Sequence, residues 1–377
     1  MRYFIIAGEQ SGDLHGSNLV KELLIADKKA EIFCWGGDLM ESAGATLLMH
    51  YRKTAFLGFF VILKNLKTIA RQLSLCKKQI TENKPDVVIL IDFPAFNLRI
   101  AEYAKRLGIR VFYYISPKFW AWNEKRVEKV KKFVDSMYII FPFETEFYRK
   151  HGISVDYRGN PLIDETERRK SSLPSRQEIL KMLQLEDRPV IGILAGSRSH
   201  EVKSILPQVV KVVRNFPEYQ FVLAGVKNLR DELYLDIIGN EPVKLLKDKT
   251  YEVLSIAEAA IVASGTATLE AALFNTPQVV CYKGDFLSML IAWFVIKVKY
   301  VSLVNLLMDS EVVKELLGYS LNRKNLLLEL RSILPGGGKR ERILTEYKLL
   351  KEKLGPAGAS ARIAGAMVEE MTERLRG

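Results

Sequence analysis

Asp86-Val87-Val88-Ile89-Leu90-Ile91-Asp92 decides the fold class. Five successive aliphatic residues leave neither face of an extended strand polar. A parallel strand covered by helices on both sides needs that pattern, whereas a half-solvated antiparallel strand would alternate. Outward from it, short β-rich runs alternate with amphipathic stretches. Strands are expected at Arg2–Ala7, Asp86–Ile91, Arg110–Ile115 and Ser136–Phe141, with weaker candidates at Glu31–Cys34 and Ser154–Tyr157. A second series is expected at Pro189–Leu194, Tyr219–Ala224, Ala259–Ala263 and Pro277–Tyr282. Helical patterns such as Asn65–Glu82, Leu98–Leu107 and Glu201–Asn215 separate them, which makes this an α/β chain of βαβ units with parallel sheets.

The stretch from Gly159 to Arg188 breaks the rhythm with Pro161, a charged cluster at Asp164–Lys170 and Ser171-Ser172-Leu173-Pro174-Ser175, and reads as an interdomain linker. Domains are expected at residues 1–165 and 166–354, each Rossmann-like, with a cleft between them and ligands at the C-terminal ends of the strands. A length of 377 residues suits about two domains. Beyond Gly336-Gly337-Gly338, helices are expected near Arg340–Leu354 and Ala357–Arg374.

With 48% apolar residues the chain is neither disordered nor of low complexity, and its +12 net charge calls for an anionic partner. Residues 51–150 hold 20 Lys and Arg against 9 Asp and Glu, and so carry nearly the whole surplus. Cys34, Cys76 and Cys281 form no Cys-x-x-Cys pair, and His15, His50, His151 and His200 show no metal-ligand spacing. Neither a disulfide framework nor a zinc site is expected. The first residues hold too short an apolar run for a signal peptide. The longest apolar candidate, Phe286 to Ile296, stops at Lys297, well short of the ~18 residues a bilayer span needs.

Three loops follow strands and open helices. Gly8-Glu9-Gln10-Ser11-Gly12-Asp13 offers two glycines for close backbone approach to a ligand, or is an ordinary βα turn; it lacks the G-x-G-x-x-G spacing. Gly196-Ser197-Arg198 pairs a tight turn with a planar cationic fork suited to phosphate oxygens, though a surface arginine beside a cap would look the same. Ser264-Gly265-Thr266-Ala267-Thr268-Leu269-Glu270 gathers small residues at a helix start that can hold a diphosphate, with Glu270 a turn further on, within reach of ribose hydroxyls. Asp92, at the lip of its strand, is either a proton acceptor or a helix N-cap. Ser116-Pro117-Lys118-Phe119-Trp120-Ala121-Trp122 suits sugar stacking or plain aromatic packing.

Residues 54–66 form an apolar run holding Phe56, Leu57, Phe59, Phe60, Ile62 and Leu63, and Lys64, Lys67, Arg71, Lys77 and Lys78 follow closely. Composition fits a buried element or one lying in a lipid headgroup boundary. No nucleic-acid-binding signature accompanies the charge.

Taken in order, these stretches resemble the lipid-A-disaccharide synthases, inverting glycosyltransferases of the two-domain GT-B architecture. The resemblance rests on Ala7 to Asp13, Ile91-Asp92-Phe93-Pro94-Ala95-Phe96-Asn97, Ser116 to Trp122, Phe141-Pro142-Phe143-Glu144, Gly196-Ser197-Arg198, Ala263 to Ala267 with Glu270, and Tyr300 to Leu307. It implies transfer of 2,3-diacylglucosamine from its UDP conjugate to the 6-hydroxyl of 2,3-diacylglucosamine 1-phosphate, giving a β-1′,6-linked disaccharide and UDP without cofactor or metal. It implies Asp92 as base, Arg198 with Gly196 and Ser197 at the departing diphosphate, and Ser264, Gly265, Thr266 and Glu270 at UDP, with Asn305 nearby. Gly8, Glu9, Ser11, Gly12, Ser116 and Trp120 become substrate-site candidates. The final helix, 355–377, is expected to return to the first domain, and C-terminal exchange makes a homodimer an implied arrangement. The residues from Phe56 to Lys67 become the expected contact with an anionic membrane, on the inner face of the cytoplasmic membrane of a Gram-negative bacterium. Ala95 stands where the family has a second aspartate, Asn160 where a histidine is frequent, and Ala195 where a proline is usual. A UDP-N-acetylglucosamine 2-epimerase-like isomerase is the alternative that shares the architecture.

Overall fold

The computed structural model describes residues 1–53, 66–122, 124–283 and 299–376. Met1–Asp164 with Pro356–Gly377 form one compact unit, and Glu165–Gly355 form a second.

The first unit is built on a seven-stranded sheet of β1 (Arg2–Ala7), β2 (Glu31–Gly36), β3 (Thr46–His50), β4 (Val87–Ile91), β5 (Arg110–Tyr114), β6 (Ser136–Ile139) and β7 (Asp156–Tyr157), in the order β3-β2-β1-β4-β5-β6-β7. Its pairings are parallel. All five residues of β4 are fully buried, each worth about 1.5–3 kcal/mol of gross hydrophobic stabilisation. Phe4, Ile6, Val88, Leu90, Val111 and Tyr113 pack with Cys76 and Ile80 of the helix Leu66–Asn83 and with Phe96, Ile100 and Ala104 of the helix Pro94–Arg106. Cys34, Cys76 and Cys281 are buried free thiols.

The final helix, Ala359–Arg376, belongs to this unit. Asp164 accepts hydrogen bonds from the amides of Gly358, Ala359 and Ser360 at 2.6–3.1 Å and so caps its start. Further along, Glu370 takes Arg110 in an ion pair and accepts from Ser136 Oγ and Tyr138 Oη.

The second unit holds β8 (Val190–Leu194), β9 (Gln220–Gly225), β10 (Val243–Lys247), β11 (Ala257–Ala263), β12 (Gln278–Tyr282) and β13 (Glu315–Leu317), ordered β10-β9-β8-β11-β12-β13 and paired in parallel. Val190, Leu194, Val222, Ala224, Ala260 and Val262 pack against Ile179, Val253, Leu254 and Ala271.

Three strands, β3, β10 and β13, have no counterpart among the sequence expectations. Each is an edge strand with mixed polarity and only partial burial, so its apolar signal is weak. The polar stretch expected as a linker is instead helical. Pro161–Ser172 is one helix, with Asn160 Oδ1 accepting from Leu162 N at 2.9 Å, and Arg176–Met182 is another, closed by a Ser175–Glu178 capping box. Phe56, Leu57, Phe59, Phe60, Ile62, Leu63 and Lys64 lie outside the described residues, whereas Lys67 is exposed.

Candidate active site

In the first unit the strand order reverses between neighbouring β1 and β4, since β1 leads to β2 on one side and β4 to β5 on the other. Loops leaving such a pair diverge and open a crevice at the strand ends. Gly8-Glu9 and Asp92-Phe93 are the residues there.

Asp92 and Phe93 have φ values of +45° and +47°, two consecutive left-handed residues that are not glycine. Each costs roughly 1–2 kcal/mol. The surroundings impose the conformation. Tyr113 Oη donates to the Asp92 carbonyl at 2.5 Å, and Asn97 Nδ2 donates to it at 2.8 Å and to the Ile91 carbonyl at 3.2 Å. The Phe93 ring lies over Gly8, where a Cβ would come within 2.3 Å of Phe93 Cγ, and it stacks on Phe96 at 5.5 Å. Phe93, not Asp92, occupies the N-cap position of the helix Pro94–Arg106, and no side chain caps it. The N-cap alternative for Asp92 is therefore not what the fold adopts. Burial pushes the Asp92 carboxyl up to about 6, with Glu9 raising it further and Lys118 and the Phe93 amide opposing. A carboxylate of that kind is still ionised at neutral pH and is more basic than a solvated one.

Gly12 lies against Ala7, where an added Cβ would meet the Ala7 methyl at 3.1 Å, and Ser11 is exposed. Buried Asp13 accepts from the amides of Gly37, Met40 and Leu39 at 2.7–3.2 Å, so it ties this loop to the one after β2.

Ser116 and Trp120, read as substrate contacts, both donate to Glu144 Oε1, the indole at 3.1 Å. Sequence reasoning quoted Glu144 within a motif but gave it no role. It is 1% exposed, and its Oε2 accepts from the Phe141 amide at 3.1 Å. Trp120 also meets Phe143 edge-on at 5.0 Å, which is the aromatic-packing alternative. Burial pushes the Glu144 carboxyl from 4.5 up to about 7, against the hydrogen bonds from Ser116, Phe141, Trp120 and Ile140. The native state therefore holds an extra proton between those two values. Its stability falls as pH rises from about 4.5 to 7, by about 3 kcal/mol, and this contribution is flat above. Glu144→Gln should shrink the difference between urea midpoints at pH 5 and pH 8, leaving the smaller limb that Asp92 supplies. An unchanged difference would show that Glu144 does not titrate there.

In the second unit the order reverses between β8 and β11, and the two anion-binding candidates are the loops after these strands. Gly196 sits at φ +113°, in the region that favours glycine. Glu201 Oε2 accepts from the amides of Ser197 and Arg198 at 2.9 and 3.1 Å, so those two N–H groups are bonded within the turn. The Arg198 guanidinium reaches Glu201 Oε1 at 3.5 Å and is half-exposed, a weak pair. Gly265, at φ +148°, begins the helix Thr266–Leu273, whose first turn has no side-chain cap. Such N–H groups are the usual donors to an anion.

Ser264 Oγ donates to the Val301 carbonyl at 2.9 Å. Asn305, fully buried, commits both amide hydrogens to the Val313 carbonyl and Glu315 Oε1, and both lone pairs to the amides of Val312 and Val313. With every polar atom of its side chain committed, Asn305 has none left to offer a ligand. Glu315 also accepts from the Val301 and Ser302 amides, so this network holds the carbonyl that grips Ser264. Glu270 accepts from Tyr251 Oη at 3.0 Å, and burial raises its carboxyl. Among the described residues, no cluster of three or more His, Cys, Asp or Glu side chains could hold a metal ion, and no helix is long and apolar enough to cross a membrane.

Residues 3–362 match the family model described as lipid-A-disaccharide synthetase. The lipid-A-disaccharide synthase of Syntrophus aciditrophicus is 38% identical, covering 96% of this chain and 95% of that one. The one of Geobacter metallireducens is 36% identical, over 99% and 98%. Among solved structures, Staphylococcus aureus MnaA with UDP superposes with a TM-score of 0.72 at 15% identity, over 98% of this chain and 97% of that one. The UDP-GlcNAc 2-epimerase of Neisseria meningitidis reaches 0.69 at 12% identity over 98% and 100%. The calicheamicin glycosyltransferase CalG4 reaches 0.62 at 14% over the whole of both chains. These last three likenesses establish the GT-B fold that glycosyltransferases and epimerases share. The chain's own sequence goes further: it belongs to the lipid-A-disaccharide synthase family and is a glycosyltransferase.

Proposed function

We propose that this chain transfers 2,3-diacylglucosamine from UDP to the 6-hydroxyl of 2,3-diacylglucosamine 1-phosphate, in lipid A biosynthesis, by single displacement with inversion. The observation that carries the reading is Asp92, a carboxylate held in a strained backbone at the switch point of its sheet and raised to about 6. It takes the proton of the 6-hydroxyl as the oxygen attacks the anomeric carbon, and the bond to UDP breaks. Negative charge then develops on the diphosphate, where Arg198 and the uncapped first turn of Thr266–Leu273 stabilise it. Gly196, Ser197, Ser264, Gly265 and Thr266 shape that site, and Glu270 accepts from ribose hydroxyls. Gly8, Glu9, Ser11 and Gly12 border the acceptor, while Ser116 and Trp120 act through Glu144.

Purified protein incubated with the two acylated sugars, with no added metal, should yield the tetraacyl disaccharide 1-phosphate by mass spectrometry. Absence of product, with UDP-N-acetylglucosamine epimerised instead, would overturn the reading.

Both substrates are lipids, so the apolar run from Phe56 to Leu63 with Lys64 and Lys67 is proposed as the contact with an anionic membrane, on the inner face of the cytoplasmic membrane of a Gram-negative bacterium. Replacing Phe59 and Phe60 together by Ser should weaken co-sedimentation with phosphatidylglycerol vesicles by about a hundredfold, since two rings entering the headgroup boundary would contribute roughly 3 kcal/mol. Unchanged sedimentation would place the contact elsewhere. A homodimer is part of this proposal.

A further inference from the structure

Tyr251 has no place in the sequence reading, yet its surroundings in the second unit are unusually determined. It lies on the helix Thr250–Ile256. Its ring stacks on Phe274 with centroids 5.5 Å apart and planes 23° from parallel, and the Arg169 guanidinium lies 5.5 Å from the ring centroid. Arg169 is itself anchored, since Nε donates at 2.8 Å to Oε1 of Glu165, whose side chain is fully buried. The phenol is thus held by a stacked ring and by a guanidinium with its own anchor. Its hydroxyl donates to Glu270 Oε1 at 3.0 Å. Among the described residues, no donor reaches the other oxygen of Glu270. Burial and the neighbouring Glu270 carboxylate keep the Tyr251 hydroxyl protonated well beyond the ordinary range, so it is a donor at every working pH.

We propose that Tyr251 is the positioning residue of the nucleoside site: it fixes one oxygen of Glu270 so that the other accepts from a ribose hydroxyl, and thereby sets the preference for ribose over deoxyribose. This rests on the assignment of Glu270 to ribose made above. A freely rotating carboxylate would pay rotamer entropy each time the nucleotide binds, whereas one held by a locked phenol is already oriented.

The test compares UDP, 2′-deoxy-UDP and 3′-deoxy-UDP on the full-length wild-type protein and on Tyr251→Phe, by titration calorimetry, with thermal unfolding as a control. Wild type should bind UDP about tenfold more tightly than at least one deoxy analogue, as the loss of one well-placed hydrogen bond predicts. Tyr251→Phe should lose most of that preference, binding UDP about five- to tenfold more weakly while the affinity for the deoxy analogue moves less than about twofold. Arg169→Met, which loosens the ring but keeps the hydroxyl, should give a smaller loss of the same preference. Equal weakening of all three ligands would make Tyr251 merely structural and overturn the proposal, as would a preserved preference. Wild type that binds UDP without discriminating the deoxy analogues would also overturn it, with the UDP site intact. Wild type that fails to bind UDP at all would overturn the underlying function as well.

Discussion

Asp92→Asn should lower kcat by about 10³–10⁴-fold, the worth of a positioned general base, while the dissociation constant for UDP stays within about twofold of wild type. The amide is nearly isosteric, and the backbone bonds that hold this residue, from Tyr113 Oη and Asn97 Nδ2 to its carbonyl, do not involve the carboxylate. Folding should therefore survive. Turnover within tenfold of wild type would remove Asp92 as the base. The pH profile adds an independent reading. A base must be ionised, so kcat/KM should fall as pH drops through about 6, not through the 3.8 of an ordinary aspartate. Lys118 holds that value down and Glu9 holds it up. Lys118→Ala should consequently move the acid limb to higher pH, and Glu9→Gln should move it lower. Movement in the same direction in both variants would exclude this electrostatic account.

Arg198→Ala should cost about 10²–10³-fold in kcat, the typical loss when a donor aimed at developing charge is removed. Two observations support so large an effect. The guanidinium is half-exposed and its pair with Glu201 is long, at 3.5 Å, so solvent and a ligand can both reach it. The amides of Ser197 and Arg198 are already bonded to Glu201, which leaves the arginine side chain as the main cation this turn can offer. Arg198→Lys should restore only part of the rate, because an ammonium cannot reproduce a planar fork on two phosphate oxygens. Single-turnover rates decide the matter: a loss smaller than about threefold for Arg198→Ala would move leaving-group stabilisation entirely to the helix Thr266–Leu273.

Much of the fold was legible because parallel sheets bury strands on both faces, which leaves runs without a polar residue such as Val87–Ile91 and Val190–Leu194. Legibility failed where burial is partial. β3, β10 and β13 are edges, which carry Thr46, Lys244 or Glu315 among their apolar residues. It failed again at Pro161–Ser172, where a proline and a charge cluster read as a linker. Pro161 in fact begins the helix after Asn160, and buried Glu165 pairs with Arg168 and Arg169 along it.

By itself, the sequence determined the alternation of strand and helix, the loops that follow the central strands, and an ordered set of motifs specific to one family. Local patterning is enough for these, because strand and helix periods and short-range spacing are properties of neighbouring residues. Only the tertiary structure decided what those residues do. It set Asp92 and Phe93 in left-handed conformations beneath Tyr113, Asn97 and Gly8, turned Ser116 and Trp120 toward Glu144, closed every polar atom of the Asn305 side chain, and brought Tyr251 to Glu270. The physical reason is the same in each case. A hydrogen bond or a close ring contact needs two groups within a few ångströms; most of these partners lie far apart along the chain, and the nearer ones, at Asn97 and Asn305, meet only across turns that the folded chain imposes.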